Sequence, residues 1–409
     1  MEARLSDLVV RRASMVFGYD QPGPLAVVIR GGLVERVVPD LGPEGASFGE
    51  APELDAAGRA VVPGFVDAQT HLVFAGDRGD EFAARLAGRR YEAGGIMRTV
   101  GTTRSASSAA LLHSLAERAA ACLAGGTTTV EVKSGYGLDT ATELRLLEVV
   151  ASANADPSVA VELVPTFLGA HLDAGPGYID RVIDEMLPAV AQAGLATSCD
   201  AFCDLGALTL DQSRRVLSAA QRYGMAIRIH AEELAHTGAA RLAAELGCLS
   251  ADHLVHATPE DAQALAGAGV VAVLLPATSF SLRSAYAPAR MLLDAGVTLA
   301  LASDCNPGTS YTSSMPFVIA LACSAYGVTV AQAVRAATEG GARALGRHDI
   351  GHLRPGARGD LVVLRGSDWV DLAYRPGMPA VDSVVKDGRV VYRVGPPGQK
   401  PGSLQSVDE

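Results

Sequence analysis

Residues 25–38 run LAVVIRGGLVERVV, two aliphatic stretches broken by Gly31-Gly32. Such runs joined by two glycines predict a hairpin, because a two-residue turn needs backbone that tolerates positive φ. The far end of the chain has the same texture in GDLVVLRG and VDSVVKDGRVVYRV, with Asp387-Gly388 as the turn. Between these β-rich flanks the pattern changes. The runs VPGFVDAQTH, TTTVEVKS, VELVPTFLGAH, TSCDAFCD, AIRIHAEE, LSADHLVH, VVAVLLPA and TLALASDCNPG alternate with stretches of helical period. In SSAALLHSLAERAAACLAGG, Leu111, Leu112, Leu115, Ala119, Cys122 and Leu123 share one face and Gly125 ends the helix. Eight strand-helix units predict parallel strands with crossover helices, closed into an α/β (β/α)8 TIM-like barrel over residues 63–347. A Pro/Gly/Ser-rich tail after Val394 is expected to be loose.

Polar residues gather where these strands end: Gln69 and His71, Lys133 and Tyr136, His171, His230 and Glu233, His253, Asp304 and Asn306. In a barrel of this type those ends converge on the face that carries the active site. A lone histidine is more often structural than a ligand, so His113, His236, His256, His348 and His352 are read as structural. The other four of the nine histidines, His71, His171, His230 and His253, each end a different strand. Neutral imidazoles with a carboxylate are what a divalent zinc or iron ion needs. Strand periodicity puts Gln69 and His71 on the same side of the first strand. His230 and Asp304 can complete a ligand set, and His253 can hold or deprotonate a bound water. Glu233, three residues past His230, is close enough for acid/base help. TSCDAFCD contains no lysine that could be carbamylated to bridge two ions, so one metal is expected.

Composition narrows the partners. With 49% hydrophobic residues and a mean hydropathy of +0.22, the 409 residues suit a large core and not extended disorder. The net charge of −11 and the scatter of the 34 basic residues argue against nucleic acid. No apolar run approaches the roughly 20 residues of a membrane span, and MEARLSDLVVRRAS lacks the features of a signal peptide, so a cytoplasmic location is expected. Six cysteines without a CxxC pair fit a reducing compartment, and Cys199 and Cys203 read as packing residues.

VVPGFVDAQTHLVFAGDR, EVKSGYGLDTATEL, TFLGAH, HAEE, SADHL, VAVLLPATSF and SDCNPGTSYTSSMP, in this order, resemble the successive motifs of the imidazolonepropionases. The resemblance implies a metal-bearing barrel plus a small β-sandwich built from both chain ends, here residues 1–62 and 348–409. It implies hydrolysis of 4-imidazolone-5-propanoate to N-formimidoyl-L-glutamate, with one zinc or iron held by two histidines of the first strand, one of the fifth and an aspartate of the eighth. Three of those positions match as His71, His230 and Asp304. The family's substrate contacts carry over to Arg78, Tyr136, His171, Glu233, Asn306, Gly308 and Thr309. A guanidinium suits the propionate of such a substrate because it grips a carboxylate with two hydrogen bonds. The departure is Gln69, which stands where the family pattern has histidine, and whose amide oxygen is a weaker, neutral ligand. RRYEAGGI is also shorter than in many members of the family. A retuned hydrolase of another small cyclic amide or imidazolone, and a catalytically weak homologue, stand as the alternatives. A homodimer is expected from the prevalence of two-fold assemblies.

Overall fold

Both expected turns form. Gly31 and Gly32 take φ of +52° and +73°, and Asp387 and Gly388 take +51° and +74°, the left-handed pair that a two-residue hairpin requires. The computed structural model describes residues 6–21, 23–42, 48–88 and 95–395. Most of RRYEAGGI, and the tail expected to be loose, lie outside the described residues. The chain opens with β1 (Leu8–Ala13), β2 (Leu25–Arg30), β3 (Leu33–Pro39) and β4 (Glu53–Asp55), which form a sheet in the order β3-β2-β1-β4. Next, β5 (Val61–Pro63) leaves for a second sheet.

The eight runs then supply eight parallel strands paired in sequence order: β6 (Phe65–Asp67), β7 (Thr127–Lys133), β8 (Glu162–Ala170), β9 (Ser198–Cys203), β10 (Ala226–Ala231), β11 (Ser250–His253), β12 (Val271–Leu274) and β13 (Leu299–Leu301). The seam between the first and last is closed just beyond their ends, where Thr70 pairs with Cys305. There the His71 amide donates to the Cys305 carbonyl at 3.0 Å and the Asp304 amide to the Gln69 carbonyl at 3.1 Å. Asp67 reinforces the seam by accepting from the Ser303 amide at 2.9 Å and its hydroxyl at 2.5 Å. Among the crossover helices, Ser108–Ala124 buries Leu111, Leu115, Ala119, Cys122 and Leu123 against the barrel, with Leu112 half-buried at the edge of the face. Gly125 caps that helix at φ −81°, and the left-handed residue is its neighbour Gly126, at +91°.

After the barrel, β14 (Leu361–Leu364), β15 (Val381–Lys386) and β16 (Arg389–Arg393) join β5 in the order β16-β15-β14-β5. Both chain ends therefore build a two-sheet sandwich. Val61, Leu361, Val363 and Val385 face its core with Val10, Val27 and Ile29, while Val62, Val362, Leu364 and Val384 join the core of the barrel. A sheet buried on both faces explains why GDLVVLRG shows no polar alternation. Among the described residues, no helix is long and apolar enough to cross a membrane.

Glu162, at the start of β8, ties barrel to sandwich through Arg347 at 2.8 Å, Arg358 at 2.5 Å and Lys386 at 3.6 Å. Burial alone would raise its carboxyl, but Arg358 and Lys386 outweigh it and bring the pKa from 4.5 down to about 2. A depressed carboxyl contributes stability that is fully present above its unfolded value and lost as pH falls toward the folded one. Glu162→Gln is therefore expected to cost about 2 kcal/mol at pH 7, about half that near pH 3, and little near pH 2. Urea unfolding of both proteins across that range checks it, and a loss independent of pH would refute the assignment.

Candidate active site

Beneath the C-terminal face, the barrel is filled by charge. Glu131 and Lys133 from β7, Asp200 from β9, Arg228 from β10 and Asp252 from β11 are each at most 1% exposed. Lys133 Nζ lies 2.8 Å from Glu131, 2.7 Å from Asp200 and 3.7 Å from Asp252, and Arg228 Nε lies 3.5 Å from Glu131. Thr166 and Ser250 satisfy further oxygens, donating to Glu131 at 2.6 Å and to Asp252 at 2.7 Å. Burial would discharge the Lys133 ammonium, but the three carboxylates reverse that and raise its pKa. Lys133, grouped with the mouth residues on sequence, thus belongs to this floor, and it does not line the cavity.

Above the floor, the seam brings Gln69, His71 and Asp304 to His230, all at most 3% exposed. Gln69 Nε2 is 3.0 Å from His230 Nε2 and 3.5 Å from His71 Nε2, and His71 Nε2 is 3.6 Å from Asp304 Oδ1. The other oxygen of Asp304 accepts from Thr278 at 2.5 Å. His230 turns its Nδ1 to Asp200 Oδ2 at 3.0 Å, which leaves Nε2 for the site. Burial lowers His71 and His253 well below the usual histidine range and His171 to about 3, so all three rings are neutral. Burial acts the same way on His230, but Asp200 reverses it and holds the ring at about 9. Glu233 Oε2 stands 3.7 Å from His253 Nε2, and burial together with the Asp304 charge raises its carboxyl to about 8. His253 and Asp304 have φ of +75° and +51°, costly for residues with a side chain and typical of functional positions. At His253 the twist breaks strand alternation, so that Asp252 enters the floor while the next side chain lines the cavity.

The rest of the wall surrounds a cavity of about 60 Å³. Glu143, fully buried, accepts from the amides of Gly135, Gly137 and Leu138 at 2.7–2.9 Å and so shapes the KSGYGL loop that presents Tyr136. Gly135 has φ +103°, and its carbonyl accepts from His171 Nδ1 at 3.0 Å. A Cβ at Gly135 would come within 2.9 Å of that ring. Asn306 spends its amide on its own loop, accepting from the Gly308 and Thr309 amides at 2.8 Å and donating to the Asp304 carbonyl at 2.7 Å. Asn306 and Thr309 line the cavity, whereas Gly308 lines the adjoining groove. Arg78 lines both, is 5% exposed and pairs with Glu81. The histidines read as structural stay away from the cavity; His236, for example, pairs with Asp261 at 2.9 Å.

An imidazolonepropionase of Mycolicibacterium smegmatis is 46% identical to this chain, over 91% of this chain and 93% of that protein. Another, of Halobacterium salinarum, is 51% identical over 84% and 85%. The chain belongs to the imidazolonepropionase family. The profile of the Amidohydrolase family matches residues 204–391. In architecture the chain resembles 5-methylcytosine deaminase from Klebsiella pneumoniae, with a TM-score of 0.77 at 16% identity over 96% of this chain and 100% of that one.

For an imidazolonepropionase-family chain, the motif HAEE leaves two adjacent glutamates to choose between, and the backbone decides. Glu232, at φ +55°, turns its carboxylate to the amides of Thr237, Gly238 and Ala240 at 2.5–3.1 Å, while Glu233 lines the cavity. Sequence reasoning overlooked Asp200, Glu143, Glu131, Arg228 and Asp252. The alternation of Glu131 with Lys133 and of Arg228 with His230 was the available signal for an inward-facing polar layer. Glu232→Gln is expected to lower stability by about 1–3 kcal/mol, since a buried acceptor of three amides is weakened. Glu233→Gln should leave the melting temperature within about a degree, because the raised carboxyl is already largely protonated at neutral pH and the amide keeps its shape and neutrality. Thermal unfolding of the two variants side by side separates the roles, and the reverse order would overturn them.

Proposed function

We propose that this chain hydrolyses the ring amide of 4-imidazolone-5-propanoate to N-formimidoyl-L-glutamate, using one divalent cation, zinc or iron, held by His71, His230, Asp304 and Gln69. One observation carries the reading. Nitrogen and oxygen donors of these residues, 3.0–3.6 Å apart and buried, stand at one end of a cavity whose wall includes the Arg78 guanidinium. Such spacing suits donors that share an ion about 2.1 Å from each. The donor set also fits: neutral His71, a carboxylate, and His230, which Asp200 orients through its far nitrogen and which binds once an arriving cation displaces the proton on Nε2. Gln69 Oε1 and His71 Nδ1 are buried without a hydrogen-bond partner, and a half-turn of the Gln69 amide exchanges its nitrogen for that oxygen at the ring nitrogens.

A cation bound there supplies Lewis acidity, polarising the ring carbonyl and making water a better nucleophile near neutral pH. The side chains do the rest. Glu233, with its proton affinity tuned near neutrality, takes a proton from the attacking water and returns it to the ring nitrogen as the C–N bond breaks. His253 holds the water beside Glu233, and Asp304 offers a second acceptor. His171 donates from Nδ1 to Gly135, which leaves Nε2 as an acceptor for a ring N–H, and Tyr136 flanks the same space. Arg78 takes the propionate with paired hydrogen bonds. Asn306 and Thr309 shape that end of the cavity, and Gly308 lets Arg78 approach closely. Division of the chain at 62/63 and 347/348, a cytoplasmic location and a homodimeric assembly belong to the same proposal, as does a small carboxylate-bearing substrate in place of nucleic acid.

A second reading has one observation in its favour. Gln69 Nε2 faces both imidazole nitrogens, so the amide can satisfy His230 by a hydrogen bond alone, which would make a catalytically weak homologue.

Freshly generated 4-imidazolone-5-propanoate should lose its ultraviolet absorbance faster with this protein than without it. Asp304→Asn should slow that loss about 100-fold or more with the fold retained; no acceleration by the unmodified protein at any metal loading would end the proposal. Gln69→His restores an imidazole on the same strand face, and should raise metal content after dialysis and activity at limiting metal. Elemental analysis of the two proteins, purified side by side, is decisive: equal retention would mean that Gln69 holds metal as well as histidine or takes no part, and no metal in either would favour the weak homologue.

A further inference from the structure

We propose that Glu81 is a positioning residue that presents Arg78 edge-on to a carboxylate, in a slot walled by the bare backbones of Gly95 and Gly308. The inference rests on the reading of Arg78 as the carboxylate receptor. Glu81 Oε2 lies 2.6 Å from Arg78 Nε and 2.5 Å from Nη2, so one oxygen takes one edge of the guanidinium. A guanidinium carries five N–H donors. Those of Nη1 and the outer N–H of Nη2 are left over, the edge that fits a second carboxylate two-pronged. The slot admits no side chain. A Cβ on Gly95 would sit 2.1 Å from Arg78 Nη2 and from Glu81 Oε1, and a Cβ on Gly308 would sit 2.4 Å from Arg78 Nη1.

Three separate chain segments are held to this geometry. Arg78 is the N-cap of the helix Gly79–Leu86, which contains Glu81 in its first turn. Gly95 is the N-cap of the helix Ile96–Ser105, and Gly308 belongs to the loop organised by Asn306. An acidic residue in a first turn suits the helix by itself, yet that role needs no contact with a guanidinium. A cation at 5% exposure does need one, because a buried charge without a partner is costly. Glu81 thus holds the Arg78 guanidinium in place before substrate arrives, so less freedom is lost on binding.

The test compares Glu81→Ala, Glu81→Gln and Arg78→Ala on the propionate substrate and on its neutral propionamide analogue, with metal content and melting temperature followed throughout. For Glu81→Ala the KM for the propionate should rise about 10-fold, with kcat within about twofold and metal content unchanged. Discrimination between acid and amide should fall by the same factor, a change that a general loss of stability would not produce. Glu81→Gln, which keeps an acceptor oxygen and the shape of the side chain, should fold like the parent and fall between the two. If both Glu81 variants keep the parental KM and discrimination while Arg78→Ala loses them, the positioning role is overturned and the receptor stands. A lower KM in Glu81→Ala would overturn it too, making Glu81 a competitor of the substrate. Unchanged discrimination in Arg78→Ala would instead remove the receptor reading itself.

Discussion

The pairing of Thr70 with Cys305 across the barrel seam is the contact on which the site depends. The first and last strands are only three residues long each, Phe65–Asp67 and Leu299–Leu301, and beyond them the chain continues extended just far enough to zip the barrel shut. The two backbone hydrogen bonds that do so belong to His71 and Cys305, and to Asp304 and Gln69. Two of the candidate ligands therefore donate their own amides to barrel closure, and a third supplies a carbonyl. Backbone pairing thus brings residues from opposite ends of the barrel sequence to fixed neighbouring positions. Asp67 and Ser303 brace the same seam one step lower.

A floor of charge then governs how the site behaves. Buried ions are costly unless each finds counter-charge and hydrogen bonds, and here every carboxylate of the floor lies within ion-pair distance of Lys133 or Arg228. Asp200 faces two ways, toward Lys133 below and His230 above. It passes the organisation of the floor to a ring nitrogen at the site and decides which nitrogen of His230 faces the cavity. The left-handed backbone of Glu232, His253 and Asp304 carries strain of roughly 1–3 kcal/mol apiece. Each strained residue ends or follows a barrel strand, where the packed floor fixes its direction.

Gln69 is the weakest donor of the proposed ligand set. It lies on the barrel seam and is fully buried. An amide oxygen is a less basic donor than an imidazole, so under the proposed function metal affinity would rest more heavily on His71, His230 and Asp304. Arg78, Tyr136, His171 and Thr309, the proposed substrate contacts, all stand on the wall of the cavity.

Periodicity and turn chemistry were legible in the sequence because they are local. Eight β-rich runs between amphipathic helices, Gly31-Gly32 and Asp387-Gly388 each follow from interactions within about ten residues, and all became the elements expected. The polar residues at strand ends were legible as well, since strand direction in a parallel barrel sends them to one face. What the tertiary structure decided is everything that depends on which side chains meet. Glu131, Lys133, Asp200, Arg228 and Asp252 sit inside strands, where charge is out of place until the barrel closes and they pair with one another. Glu232 and Glu233 are chemically identical neighbours, separated only by a left-handed turn that hands one to the backbone and the other to the cavity. Arg78 could have been a surface ion pair or a substrate receptor on sequence alone. Its burial between two glycines, with Glu81 on one edge, joins the nearby Gly95 to Gly308 from beyond the last barrel strand, brought to it only when the seam is shut.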